Sequence, residues 1–551
     1  MHTLLIVFAV ATAQEGLWSV DTTFGPGVRG ELRVRRASSG WTATIPGRTA
    51  TVERSGDSVR FTLPDSGGQF RGVLAGRAIR GFWIQPRGAV TGYAWASPLE
   101  LTSSGGEAGE WRGSIVPLEE RWRVYLAISR RPNGTLVAVF RNPEQNDLGK
   151  WFRFSVTRAG DSLRFDLPAS GEDQPAMQLA ATYDSVRRVI ALAWPGLDRV
   201  LRFAPQDSAS ATGLFARLPR AARYVYRQPG QIGDGWHTAR AKDAGFDEAA
   251  LARLVQQIAD TDPLNPRAPL MHSLLMARHG RLVLEEYFAG YDRRSVHDTR
   301  SAAKTFASVM AGAIGLDPGT RVKGDVTVGH LLTHTSGLAC DDYDPQSPGE
   351  EVRMRTQTAQ PDWWQYILDQ PQVYPPGTHY AYCSGGMNLA GYALHGASGT
   401  WIPALFDRTV ARPLGFGRYY WDLMPTLEGY LGGGVQMLPR DLLKLGVTYL
   451  NGGVWDGRRI VPAEWVARST VNQVAEGVGT DGYAWHLGTL KVGDREYREY
   501  EANGNGGQFL IVVPELDLAV VFTGGNYMYG GVWLKWRQGI VGDVIIPAIR
   551  E

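Results

Sequence analysis

Apolar and polar residues alternate in short runs through the first two hundred or so positions. GELRVRR, SVRFTLP, WRVYLAI and LVAVFRN are examples, each broken off by Gly, Pro, Asn or Ser. A period of two predicts strands with one face on a core, so this region reads as antiparallel β. It also contains an echo. VERSGDSVRFTLPDSGG at Val52–Gly68 is answered by VTRAGDSLRFDLPASGE at Val156–Glu172, and LRVRRASSGWTA at Leu32–Ala43 more faintly by LAISRRPNGTLVA at Leu126–Ala138. A repeat of about a hundred residues is longer than a solenoid unit, which predicts a duplicated β module: two small barrels, or two halves of one larger sheet structure.

A Gly/Pro-containing linker, YRQPGQIGDGW at Tyr226–Trp236, ends this pattern. FDEAALARLVQQI predicts a helix over 246–258, and HSLLMARHGRLVLEEYF a hairpin turning at His279-Gly280. HDTRSAAKTFASVMAGAIG, 297–315, spaces small and apolar residues as a helix does, with Asp298 and Thr299 placed to cap it. The chain closes with the strand-like runs GQFLIVVPE and LAVVFTG. Hairpin first, helices between and strands last predict an α+β or α/β sandwich whose sheet draws on both ends of the segment. The expected organisation is a leader at 1–13, β modules at 14–120 and 121–225, and a mixed domain at 235–551.

Composition narrows the function classes. The net charge is only +2 and no Lys/Arg-rich block occurs, so nucleic acid is not an expected partner. MHTLLIVFAVATA ends in a small-x-small pattern and reads as a signal peptide cleaved before Gln14, which implies a periplasmic or secreted protein. The run is too short to span a bilayer, and no other apolar stretch is long enough, so no transmembrane segment is expected. Cys340 and Cys383 are the only cysteines. They either pair, closing a 43-residue loop, or remain two buried thiols; an oxidising compartment favours the bridge.

In the 297–315 helix, Ser301 and Lys304 stand one turn apart on a single face, a hydroxyl beside an amine at the helix N-terminus. Alone the pattern is common. It is followed, however, by HLLTHTSGL (330–338), PPGTHYAYCSGGMNLAGYAL (375–394), GGGVQMLPRDLLKLG (432–446) and GNGGQFLIVVPELDLAVVFTG. Five segments in this order closely resemble the serine β-lactamase and penicillin-binding-protein superfamily, nearest its class C-like esterases and peptidases, over roughly residues 235–551. The resemblance implies an α/β sandwich of the serine β-lactamase/transpeptidase type preceded by the all-β region. It further implies Ser301 as nucleophile, Lys304 as the base once it has lost its proton, and Tyr382 as the residue sharing that proton and delivering it to the leaving group. Gly504 would let substrate approach the strand backbone, and the N–H groups of Asn505 and Ser301 would form an oxyanion hole. No cofactor and no metal are expected.

The chain departs from the family pattern at three places. Ser384 stands where the second motif has Asn, keeping a hydrogen-bonding group without the amide fork. Ala502 stands where the third motif has a cation, so an uncharged site suited to esters or neutral acyl groups is expected. LDPGTRVKGDVT replaces a longer helical segment at one rim. The expected function is therefore a serine hydrolase acting through an acyl-Ser301 intermediate on carboxylic esters or small amides and peptides. The alternatives are a D-amino-acid peptidase or β-lactamase, and a catalytically silent descendant contacting cell wall or another polymer through the β modules. His330 and His334 have zinc-helix spacing but lack the intervening Glu and a third ligand, which favours packing and capping. Trp363, Trp364, Trp421, Tyr483 and Trp485 read as core or as the wall of an acyl pocket.

Overall fold

The computed structural model describes residues 14–550 except 25–26, 38–39, 89–91, 104–108, 145–152, 170–175, 196–198 and 266. The leader expected at 1–13 lies outside the described residues. The alternating region forms two closed antiparallel barrels. In one, the eight strands between Gly30 and Ile115 close because Glu110–Ile115 pairs both with Gly30–Ala37 and with Thr102 and Ser103. In the other, Gly16–Phe24 joins the seven strands between Glu120 and Pro205. The echoed segments build the same hairpin in each barrel, Arg48–Ser55 with Ser58–Leu63 and Arg153–Ala159 with Ser162–Leu167. Gly56 and Gly160 supply the positive φ that each two-residue turn needs. The barrels are not successive in sequence as expected: the strand at 16–24 completes the second, and the whole first barrel is inserted after it. Local alternation carries no information about which distant strand closes a barrel.

The 235–551 region is an α/β sandwich. Its seven-stranded sheet runs in the order His237–Thr238, Arg281–Tyr287, Met271–Arg278, Leu518–Gly524, Gln508–Val513, Arg495–Gly504, His486–Val492. The His279-Gly280 hairpin thus pairs with the closing strands, Leu275 standing opposite Val521. Alternation divides the central strands between two cores. Leu274, Met276, Ile511 and Val520 face the helix Glu248–Ala259 and the C-terminal segment, while Leu275, Ala277, Leu510 and Val521 face the helix Pro439–Leu450 and the catalytic-side helices. With helices on both faces these strands are buried throughout, which explains their uninterrupted apolar runs. Among the described residues no helix is long and apolar enough to cross a membrane.

The first barrel is fused to this domain through a sheet. Ala94–Ala96 pairs with Trp421–Leu423, Tyr420–Trp421 pairs with Val435–Gln436, and Gln436–Met437 pairs with His297–Asp298. The outward-facing Phe82, Ile84, Ala94 and Ala96 accordingly belong to the hydrolase-side core and not to the barrel interior. This ladder ends three residues before Ser301.

Candidate active site

The segment at Ser301 is tighter than an α-helix. Arg300–Lys304 is a 3₁₀ turn, and the α-helix proper runs Thr305–Ile314. In a 3₁₀ turn residues i and i+3 eclipse, so Ser301 and Lys304 are stacked more directly than an α-helix would place them. The expected caps act separately. Asp298 Oδ1 accepts from the Arg300 N–H (2.8 Å), whereas Thr299 gives both its N–H and its hydroxyl to the Val435 carbonyl. Arg300 is held at φ +48°, a left-handed conformation unusual for a side chain of its size, by an ion pair with Asp298 (3.1 Å) and by the Tyr527 ring beneath it.

Lys304 is buried. Its Nζ donates to Ser301 Oγ at 2.8 Å and to the Gly432 carbonyl, and lies 5.0 Å from the centre of the Tyr382 ring. The structure thus brings together the three residues singled out as nucleophile, base and proton carrier. It differs on the lysine's proton. Burial alone pushes the ammonium toward release, but Tyr382, Glu351 and Asp342 together outweigh it and hold Lys304 above its usual value. The reason is tertiary: Glu351 and Asp342 come from a segment some forty or fifty residues downstream.

The Tyr382 loop is fixed from several sides. Cys340 and Cys383 form a disulfide, with Cα atoms 5.5 Å apart. The Asp342 N–H donates to the Tyr382 carbonyl (2.8 Å), Ser384 N–H donates to Asp342 Oδ2 (2.8 Å), and Cys383 N–H donates to His334 Nδ1 (3.2 Å). The His334 ring packs on the Tyr382 ring at 4.5 Å between centroids. Burial, with Lys304 and His486 adding repulsion, keeps His334 well below the usual histidine range, so it is a neutral acceptor here. Sequence spacing gave His334 only a packing role; it lines the cleft with Ser301. His330 closes a capping box with Thr327, accepting from the Thr327 N–H. Trp363 and Trp421 are fully buried core residues, whereas Trp485, equally buried, also lines the cleft.

Two expected substrate contacts are placed otherwise. Ser384 is wholly buried at the start of a helix, where it supports Asp342, so the missing amide fork is not replaced by its hydroxyl at the cleft wall. At Gly504, a Cβ would sit 2.4 Å from the Thr299 carbonyl oxygen and 3.1 Å from the Ala302 nitrogen. Glycine is required there for the strand to meet the serine turn, before any substrate is considered. Asn505 engages its side chain with Met528, accepting from the Met528 N–H. The strand His486–Val492 pairs with Arg495–Glu501 and stops there, leaving Ala502–Gly504 without a strand partner on that side.

That neighbouring strand brings a titratable group to the cleft beside the uncharged Ala502. Its first residue, His486, stands opposite Glu501 and lines the cleft together with Ser301, Lys304, His334, Asp481, Ala502 and Asn503. It is hydrogen-bonded to Asp481 at 3.0 Å. Burial disfavours its charge, but Asp481 and then Glu501 raise it above the ordinary histidine value. No motif marks His486, and only strand register brings it here. The cavity between these groups is about 10 Å³. A larger cavity of about 780 Å³ opens where both barrels meet this domain, lined by residues such as Arg121, Trp122, Tyr291 and His297. Ser301 is not on its wall, and the reacting groups identify the smaller cleft as the site.

Residues 268–524 match a family model described as Beta-lactamase. Penicillin-binding protein 4 of Amycolatopsis lactamdurans is 30% identical over 288 residues, covering 42% of this chain and 73% of that protein. Similar solved structures include a penicillin binding protein from Bacillus halodurans, 16% identical with a TM-score of 0.39 over 48% of this chain and 95% of that one. A family VIII carboxylesterase is 18% identical, with a TM-score of 0.40 over 55% and 94%. The chain belongs to the serine β-lactamase and penicillin-binding-protein superfamily and is a serine hydrolase.

Proposed function

We propose that the protein hydrolyses carboxylic esters or small amides and peptides through an acyl-enzyme on Ser301. The observation that carries this reading is the contact of Lys304 Nζ with Ser301 Oγ at 2.8 Å beneath the Tyr382 ring. Ser301 Oγ attacks the carbonyl while its proton enters the Lys304–Tyr382 pair. The main-chain N–H groups of Ser301 and Asn505 receive the developing oxyanion. Collapse of the tetrahedral species breaks the bond to the leaving group, which takes a proton from Tyr382, and water then repeats the sequence to free the acid. A periplasmic or secreted setting, which suits the Cys340–Cys383 bridge, is part of the same proposal.

A fluorophosphonate probe tests the nucleophile, and a panel of chromogenic esters, D-amino-acid amides and nitrocefin tests the substrate class. The expected adduct is on the peptide containing Ser301, with turnover of at least one ester or amide that Ser301→Ala lacks. A probe adduct elsewhere, or undiminished turnover by Ser301→Ala, overturns the proposal.

A further inference from the structure

The helix Glu351–Thr356 sets Glu351 and Arg355 one turn apart, and that spacing joins them as an ion pair at 3.3 Å. Arg355 also donates from Nη2 to Asp422 Oδ2 at 2.6 Å. Its side chain is only 12% exposed, so the flat faces of the guanidinium are turned away from water. Three aromatic rings surround it instead. The guanidinium carbon lies 3.9 Å from the centre of the Tyr93 ring, 4.5 Å from Tyr430 and 5.4 Å from Trp363. Attraction between a cation and ring faces is strongest where both are shielded from solvent, as here.

The nearest of the three rings does not belong to the hydrolase domain. Tyr93 immediately precedes the strand Ala94–Ser103 of the first barrel, and its ring meets Trp363 edge-on at 6.5 Å. Asp422 stands opposite Trp95 of the same strand. The barrel therefore supplies one wall of the cage directly and, through strand pairing, places one of the two carboxylates that fix Arg355.

The cage connects to the reacting lysine through Glu351. Its Oε1 accepts from Arg355 and from the Tyr430 hydroxyl (2.6 Å), and its N–H donates to Asp342 Oδ1 (3.1 Å). Burial opposes its charge, but Arg355 and then Lys304 hold it ionised. The charge of Glu351 is thus divided between two cations. The other titratable groups facing Lys304 are Tyr382, Asp342, His334, His486 and Tyr343. Those facing Glu351 are Asp342, Asp422, Tyr430 and Arg300.

We propose that Tyr93 of the first barrel is a positioning residue of the hydrolase site: its ring holds Arg355 against Glu351, and Arg355 so held takes up part of the carboxylate charge that faces Lys304. This deepens the proposed acyl-Ser301 reading and rests on it. A guanidinium released from the cage leaves the charge of Glu351 turned on Lys304, and the amine that must receive the Ser301 proton is then freed only at higher pH.

The rate at which a fluorophosphonate probe labels Ser301, followed against pH, provides the test and does not depend on the substrate class. Tyr93→Leu keeps an apolar side chain and loses the ring face. It should move the rising limb of the profile up by about one pH unit, which is about tenfold slower labelling at a fixed pH on that limb. Tyr93→Phe keeps the face and should label within about twofold of wild type. In a Glu351→Gln background, Tyr93→Leu should leave the limb in place, because the carboxylate through which it acts is gone. A profile lowered uniformly by Tyr93→Leu, with its limb unmoved, is a structural loss and overturns the proposal. So do an unchanged profile, a loss in Tyr93→Phe equal to that in Tyr93→Leu, and a shift that persists in the Glu351→Gln background. Tyr93→Met is read in the same way should Tyr93→Leu not fold. Wild-type protein that is not labelled at Ser301 overturns the hydrolase reading, and this proposal with it.

Discussion

Lys304 donates a hydrogen bond from Nζ to Ser301 Oγ across 2.8 Å, and the lysine's surroundings favour its protonated form. The ammonium is held by the Tyr382 side, by Glu351 and by Asp342 against the opposing effect of burial. Ser301 is thus oriented at rest but activated only when the proton leaves the lysine.

Loss of each member of this group should be costly. Ser301→Ala is expected to abolish turnover, and Lys304→Ala and Tyr382→Phe to lose on the order of a hundredfold or more in kcat/KM. Steady-state kinetics on one ester checks all three; near-normal rates in Lys304→Ala would remove the lysine from the mechanism.

The raised lysine sets a pH dependence. Because the reactive form is the free amine, kcat/KM should rise with pH through the neutral range without reaching a plateau before the lysine's ordinary value of 10.5. Glu351→Gln or Asp342→Asn removes one of the anions that hold the proton, so the rising limb should move to lower pH. A limb that stays in place in both variants would show that another group limits the rate.

The Cys340–Cys383 bridge closes a loop of 43 residues around the segment that carries Tyr382. In the chain-entropy model such a loop is worth roughly 4 kcal/mol. Reduction should lower both Tm and kcat, since the bridge, with the Asp342 and His334 contacts, positions Tyr382. Thiol titration of denatured, unreduced protein gives the bridge content, and two free thiols in fully active material would refute the role.

The buried His272–His297 pair predicts acid sensitivity. Their ring nitrogens meet at 2.7 Å, and Tyr291 stacks on His272 at 4.2 Å. Burial keeps His297 down to about 4 and His272 well below its usual value, so the folded protein refuses protons that the unfolded chain accepts near 6.5. Their contribution is complete above pH 6.5 and is lost as pH falls toward 4, about 3 kcal/mol for His297. Asp342, raised to about 6, and Asp422, raised to about 7, act in the opposite sense, favouring the folded state as they take up protons. The comparison is therefore between slopes: in His297→Gln, Tm should fall less steeply from pH 6.5 to 4 than in wild type. Parallel curves would contradict the assignment.

The barrel should matter to the active site through its shared strand. Ala96 is paired on one side with Ile84 and on the other with Trp421. Ala96→Pro removes an N–H between two partners and should cost about 3 kcal/mol or more. It should also reduce kcat, because the ladder from Trp421 through Val435 leads to Thr299 and the serine turn. Lower Tm with unchanged kcat would show that the barrel stabilises the fold without supporting the site.

The sequence by itself determined what depends on near neighbours in the chain. Alternation specified the barrel strands and the echo of the two segments that form matching hairpins, because a period of two acts within a few residues. The Ser301–Lys304 spacing put hydroxyl and amine on one face for the same reason, and five ordered motifs identified the superfamily. Tertiary structure decided what depends on which distant segments meet. It put the strand at 16–24 into the second barrel, tied the first barrel to the serine turn, and brought Glu351 and Asp342 close enough to keep Lys304 protonated. It also set His486 beside the uncharged position 502, a placement fixed by the pairing of His486 with Glu501. Strand register and the electrostatics of buried groups arise from contacts between segments far apart in sequence, and no local pattern of residues encodes them.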